Sequence, residues 1–145
     1  MTSRRDSRRM NLLRFALRLD AAASAGLGVV ILGLSRKLDE WLGTPTAFAL
    51  GVGIFLLVWA AGLILLAAQR EISVSGAWTV IVLNVGWIAA SLAIAFSGAF
   101  DLTGWGVALS ALQAVPVLLF IDLQYVGLRR VRRALGNSAV GNSVV

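Results

Sequence analysis

From Val74 to Phe96 the chain runs for 23 residues without a charge, and the single amide in that stretch, Asn84, stands near its centre. At about 1.5 Å per residue a helix of this length reaches roughly 34 Å, enough to cross a hydrocarbon layer about 30 Å thick. A membrane-spanning helix is the reading this run imposes, and the remainder of the chain is placed around it.

Three further apolar runs accompany it. The spans are expected at about 15–35, 46–68, 74–96 and 104–125. With 59% of its residues hydrophobic and only 14% charged, the chain lies far from the average soluble domain. The fold class is therefore all-α, a four-transmembrane-helix bundle built from two helical hairpins. Residues 1–14 form a basic N-terminal segment, 15–128 the transmembrane domain, and 129–145 a basic stretch followed by a flexible tail with a doubled Gly-Asn-Ser. No separate soluble domain can be drawn.

The charges are segregated. Of 13 basic residues, six lie between Arg4 and Arg18 and four between Arg129 and Arg133, leaving Arg36, Lys37 and Arg70 elsewhere. Counted by side, the two termini and the Arg70 loop hold eleven of them and the other two loops hold two, so both termini are expected in the cytoplasm and the protein in the cell membrane as a multi-pass chain of bacterial inner-membrane type. The arginines flank apolar spans and lack the interleaved aromatics that stack on bases. Anionic lipid headgroups are the expected partner rather than nucleic acid. The chain has no cysteine and no histidine, which removes disulfides, thiol catalysis, soft-metal sites and the ordinary neutral-pH proton relay. No metal, cofactor or catalytic constellation is expected, and the chain reads as a non-enzyme.

The start Ser7-Arg8-Arg9-Met10-Asn11-Leu12-Leu13 has some likeness to a twin-arginine export signal, but Arg14, Arg18 and Asp20 interrupt the apolar region such a signal needs. Arg14 and Arg18 share a helical face, which suits a helix lying at the lipid surface ahead of span one. Span one itself has only fourteen residues between Asp20 and Ser35, so it must borrow from Phe15 to Asp20. That draws Arg18 and Asp20 to the cytoplasmic edge. Ser35 to Pro45 then reads as a connector, with Trp41 at the interface.

Several side chains stand out against this background. Ala77, Asn84 and Ser91 are seven apart and share one face of span three. Asn84 and Gln113 each sit near the middle of their spans, so their depths match. Two readings follow, an interhelical amide pair worth about 1 kcal/mol or a polar wall for a ligand or solute. Asp20 and Asp122 lie at one expected depth, where Arg18 with Asp122 and Asp20 with Arg129 would form cross-helix pairs; a proton or cation site is the alternative. Gln113 and Asp122 are nine apart, on opposite faces of a straight helix, although Pro116 can kink it. Trp41, Trp78 and Trp105 hold belt positions, whereas Trp59 and Trp87 are deeper, where they serve packing or stack on a lipophilic ligand. Ala47, Ala49 and Gly51 map onto Gly106, Ala108 and Ser110 at a constant shift of 59, suggesting a parallel hairpin repeat.

Arg18-Leu-Asp20-Ala-Ala-Ala, Leu83-Asn84-Val-Gly-Trp87 and Leu128-Arg-Arg together resemble small four-helix integral membrane proteins of actinobacterial type. That resemblance covers most of the chain and implies fold and location but no activity. Length and span count are also similar to the small multidrug transporters, whose first span carries an embedded glutamate. Here the only acid of that span is Asp20, expected at its edge. The reading reached from sequence is a noncatalytic membrane protein acting through helix contacts, as a homo-oligomer or an accessory subunit beside a membrane-protein partner. Its alternative is a small transporter or lipophilic-ligand binder with a cavity lined by Asn84 and Gln113.

Overall fold

A computed structural model describes the backbone of residues 4–141 and the side chains of residues 11–133. Among the described residues five helices follow one another: α1 (Arg4–Leu42), α2 (Thr46–Ala68), α3 (Val74–Ser97), α4 (Gly104–Leu112) and α5 (Ala114–Gly141). The last two form one broken span, so four stretches are long and apolar enough to cross a membrane: Asn11–Leu42, Thr46–Ala68, Val74–Ser97 and Gly104–Arg133. No strand occurs among the described residues. With an even number of spans, the start of α1, the Gln69–Ser73 turn and the end of α5 gather at one end of the bundle, here termed the basic end.

Helix α1 departs from expectation at both ends. It is continuous from Arg4, so Arg14 and Arg18 belong to the spanning rod and not to a separate surface helix. It also runs through Ser35 to Leu42, shrinking the connector to Gly43–Pro45. Arg36, Lys37, Asp39 and Glu40 do not stop a helix already under way, since each added residue gains a hydrogen bond. What stops it is Gly43 at φ +68°, followed by Pro45. Asp39 Oδ2 then receives both the backbone N–H of Thr46 at 3.2 Å and its hydroxyl at 2.8 Å, starting α2. The same propagation carries α5 through residues 136–141 of the stretch expected to be a flexible tail; residues 142–145 lie outside the described residues, as do the side chains of Arg8 and Arg9.

The break between α4 and α5 is local chemistry. Pro116 lacks the N–H that would bond the Leu112 carbonyl, four residues back. Helix α4 ends at Leu112, and Gln113 occupies the junction while still donating its N–H to the Leu109 oxygen at 3.0 Å. Thr103 caps α4, accepting from the Gly106 N–H at 3.2 Å. It also donates to the Trp41 carbonyl at 2.8 Å, and its N–H bonds the Leu42 carbonyl at 3.0 Å. One residue thereby starts one helix and closes the end of another.

Helix α1 packs on α2 and on α5, and α3 packs on α4 and α5. The α1–α2 contact is close because glycines meet: a Cβ added to Gly28 would lie 3.0 Å from the Gly53 carbonyl oxygen. At the basic end Leu13, Leu17, Ala21, Ala60, Leu63, Ala67, Ile72, Ala77, Val80, Ile81 and Leu128 form one buried cluster. Arg14 fastens the same end by donating to the Gln69 and Arg70 carbonyls at 2.5 and 2.7 Å, the free carbonyls of the α2 terminus. The proposed repeat does not survive as a packing equivalence. Ala49 is buried but its counterpart Ala108 exposed, and Gly106 is buried but its counterpart Ala47 exposed.

Candidate functional site

Asp20 is 3% exposed, well inside the Asn11–Leu42 span, not at its edge. The expectation failed because it assumed a span ending at Ser35; a helix running on to Leu42 has no need to draw Asp20 outward. Its Oδ2 accepts from Asn84 Nδ2 and from Gln124 Nε2, each at 2.8 Å, and its Oδ1 accepts from Ser24 Oγ at 3.2 Å. Asn84 Nδ2 also reaches Gln124 Oε1 at 3.3 Å. Three helices thus converge on one carboxyl group, and among the described residues all of its hydrogen-bond partners are neutral.

The chain positions these groups by helical phase. Asp20 and Ser24 are four apart on α1, while Gln113, Val117, Phe120 and Gln124 follow one another at intervals of four, three and four along one face of the broken span. Asn84 is buried on the face of α3 that also carries the buried Ala77, Val80 and Ala95. Ser91 shares that stripe and is half-buried, but it does not reach the cluster.

Above the cluster the bundle opens. Because α2 and α3 do not pack closely, a cavity of about 330 Å³ forms between them, bounded also by α1 and by the broken span. Asp20, Ser24, Asn84 and Gln113 supply its polar groups; Phe55, Trp59, Trp87 and Phe120 are its largest apolar walls. Phe55 stacks on Trp87 with centroids 5.5 Å apart and on Trp59 at 6.3 Å, the ring planes nearly parallel in both cases, so the aromatic wall bridges the opening from α2 to α3. Trp87 Nε1 donates to Gln113 Oε1 at 2.9 Å, fixing the indole against the helix junction. That bond occupies the Gln113 oxygen.

The expected partnerships are therefore rearranged. Asn84 pairs with Asp20 and Gln124 instead of Gln113, whose partner is Trp87. Asp20 binds amides instead of Arg129, which lines a separate recess at the basic end. Arg18 and Asp122 are both exposed and neither contributes to the cavity. Gln113 and Asp122 do fall on different surfaces, as their nine-residue spacing requires. Trp59 and Trp87 line the cavity, while Trp41 and Trp105 are 59% and 74% exposed, as belt residues are.

Sequence reasoning missed Gln124 and Phe55. Gln124 had a legible signal: it is eleven residues from Gln113, which at about 100° per residue returns to the same face within about 20°. Phe55 had none, since one phenylalanine in an apolar span looks like any other. Among the described residues no group of three or more His, Cys, Asp or Glu side chains is arranged to hold a metal ion. Neither a protein-family model, a curated protein nor a solved structure matches the chain.

Proposed function

We propose that this chain is a multi-pass protein of a bacterial inner membrane, with its basic end in the cytoplasm, and that it binds a lipophilic organic cation in the cavity between α2 and α3. The observation that carries the reading is Asp20: a carboxyl group 3% exposed, partnered among the described residues only by neutral donors, and lining a cavity walled by Phe55, Trp59 and Trp87. An ionised aspartate at the centre of a span costs about 2.5–3.5 kcal/mol on insertion scales. Amide donors offset part of that cost without neutralising the charge, and a cationic ligand would supply the counter-charge. Aromatic faces add cation–π attraction, about 2 kcal/mol when desolvated. A volume near 330 Å³ lies at the small end of ligand pockets, which run from about 300 to 1,000 Å³.

This reading replaces helix contact as the primary role. Part of the small-residue pattern that motivated self-association is consumed inside the chain, where Ala49, Gly53, Ala60 and Gly106 are buried, while Ala47, Gly51 and Ala108 stay exposed. What stays available to a second copy or an accessory partner is the exposed α2 surface at Ala47, Gly51, Val58 and Leu65. No step of the proposed binding needs catalysis.

Titration of the full chain in detergent with benzyltrimethylammonium, followed by tryptophan fluorescence, tests the proposal because Trp59 and Trp87 line the cavity. Saturable quenching is expected, with the uncharged isostere neopentylbenzene at least about tenfold weaker, a difference of about 1.4 kcal/mol. Asp20→Asn should abolish the preference for the cation. Equal affinity for cation and isostere in the unaltered protein would overturn the charge-recognition reading.

A further inference from the structure

A second recess lies at the basic end, between the start of α3 and the far part of α5, with a volume of about 290 Å³. It is independent of the cavity that holds Asp20, and different chemistry lines it: Trp78, Tyr125, Leu128, Arg129, Arg132 and Arg133. The arginines stand at i, i+3 and i+4 on α5, and Tyr125 is four residues before the first, so the four side chains leave the helix within an arc of about 100°. Leu128, 1% exposed, gives the recess an apolar base. Trp78 meets Tyr125 edge to face, with centroids 6.1 Å apart and ring planes at 70°, forming an aromatic wall anchored on both helices. Among the described residues no carboxylate lines the recess.

We infer that this recess is a site for the headgroup of an anionic phospholipid. Guanidinium groups present planar forks of donors that match phosphate oxygens, and three of them on one face exceed what a single surface ion needs. The aromatic wall fits a headgroup better than a free ion. Trp and Tyr occupy the level where glycerol and the first acyl carbons lie, and a free phosphate has no apolar part to set against Leu128 or the rings. The site narrows a general attraction between basic termini and anionic lipid to three named arginines. Arg130, on the same helix and also exposed, is outside it.

The test compares full-length chains purified with mixed phosphatidylglycerol and phosphatidylcholine, counting the lipids each retains by native mass spectrometry. The unaltered chain should retain phosphatidylglycerol in preference to phosphatidylcholine. A triple variant, Arg129→Gln with Arg132→Gln and Arg133→Gln, should lose at least about fivefold in retention, since it removes the guanidinium forks that line the recess and would hold the phosphate directly. A charge-matched control, Arg18→Gln with Arg70→Gln and Arg130→Gln, should stay within about twofold of the unaltered chain. Equal losses in the two triple variants, or equal retention of both lipids by the unaltered chain, would overturn the site. Excess inorganic phosphate should leave retention unchanged; displacement of the lipid by phosphate would assign the recess to a free anion and overturn the lipid assignment. Circular dichroism checks that each variant keeps its helix content. Should the triple variant lose its fold, Arg132→Gln alone replaces it, with a loss of about twofold or more expected and no loss counting against the site.

Discussion

Asp20 is the residue on which the interior is arranged, because a carboxyl group within a bundle must be given donors or left at high cost. Hydrogen bonds to charged groups contribute about 1.5–3 kcal/mol each, and stranding a buried partner costs about 1–3 kcal/mol or more. Gln124→Leu removes one donor at 2.8 Å from Oδ2, so chemical unfolding in detergent should show a loss of about 1–3 kcal/mol. Asp20→Asn keeps the shape and one acceptor oxygen and should cost less than Gln124→Leu; the reverse order would mean that the charge of the carboxyl group, and not its hydrogen-bond geometry alone, organises the site. Trp87→Phe deletes the N–H that reaches Gln113 Oε1 while retaining a ring beside Phe55. Its expected effect on stability is about 1 kcal/mol, with a larger effect on cation binding than on helix content. Asn84 was visible in the sequence as an anomaly in an apolar run. That its partner is Asp20 was not visible, because the apparent end of span one at Ser35 set the wrong depth for the acid.

At the scale of elements, two features decide how closely the helices approach. The Gly28–Gly53 crossing lets α1 and α2 touch through backbone, since a Cβ on Gly53 would fall 2.7 Å from Leu32 Cγ and one on Gly28 would meet a carbonyl at 3.0 Å. Gly28→Ala is therefore expected to destabilise by about 1–3 kcal/mol through overpacking. Gly51→Ala, on the same helix pair but with open space where its Cβ would go, should be neutral or stabilising by up to about 1 kcal/mol from helix propensity alone. Thermal unfolding of the two variants side by side distinguishes a packing crossing from a generic dislike of alanine. The second feature is the Pro116 break. Pro116→Ala would restore the missing bond to Leu112 and let α4 and α5 join, shifting Gln113 away from Trp87. A change in Trp87 emission together with weaker binding of benzyltrimethylammonium is the expected outcome. The helices themselves were legible from hydrophobic run length. The continuation of α1 past Ser35 was not, because charged residues mark the edge of lipid without marking the end of a helix.

For the whole molecule, the unequal packing of the two ends bears on how a ligand would enter. The buried cluster and the Arg14 tie hold the basic end, whereas the other half relies on the glycine crossing and on the Thr103 bonds to Trp41 and Leu42. Between them lies the cavity, closed across α2 and α3 by the Phe55–Trp87 stack, so a ligand entering between these two helices has to displace that stack. Orientation is checked with cysteine reporters, which are clean here because the chain has no cysteine of its own. Asp101→Cys should react with an impermeant maleimide in intact cells, and Glu71→Cys only after the membrane is opened; the opposite pattern would reverse the topology. Length, composition and run spacing by themselves determined four apolar helices, two hairpins and the gathering of basic residues at one end, because the cost of an unpaired backbone in lipid leaves a long apolar run few choices. Only the tertiary structure decided that Asp20, Asn84 and Gln124 meet, that Gln113 belongs to Trp87, and that a cavity separates α2 from α3. Those outcomes depend on how far each helix runs and how it is rotated about its axis. Lipid-facing and bundle-facing positions are both apolar in such a chain, so helix rotation is set by contacts between residues distant in sequence.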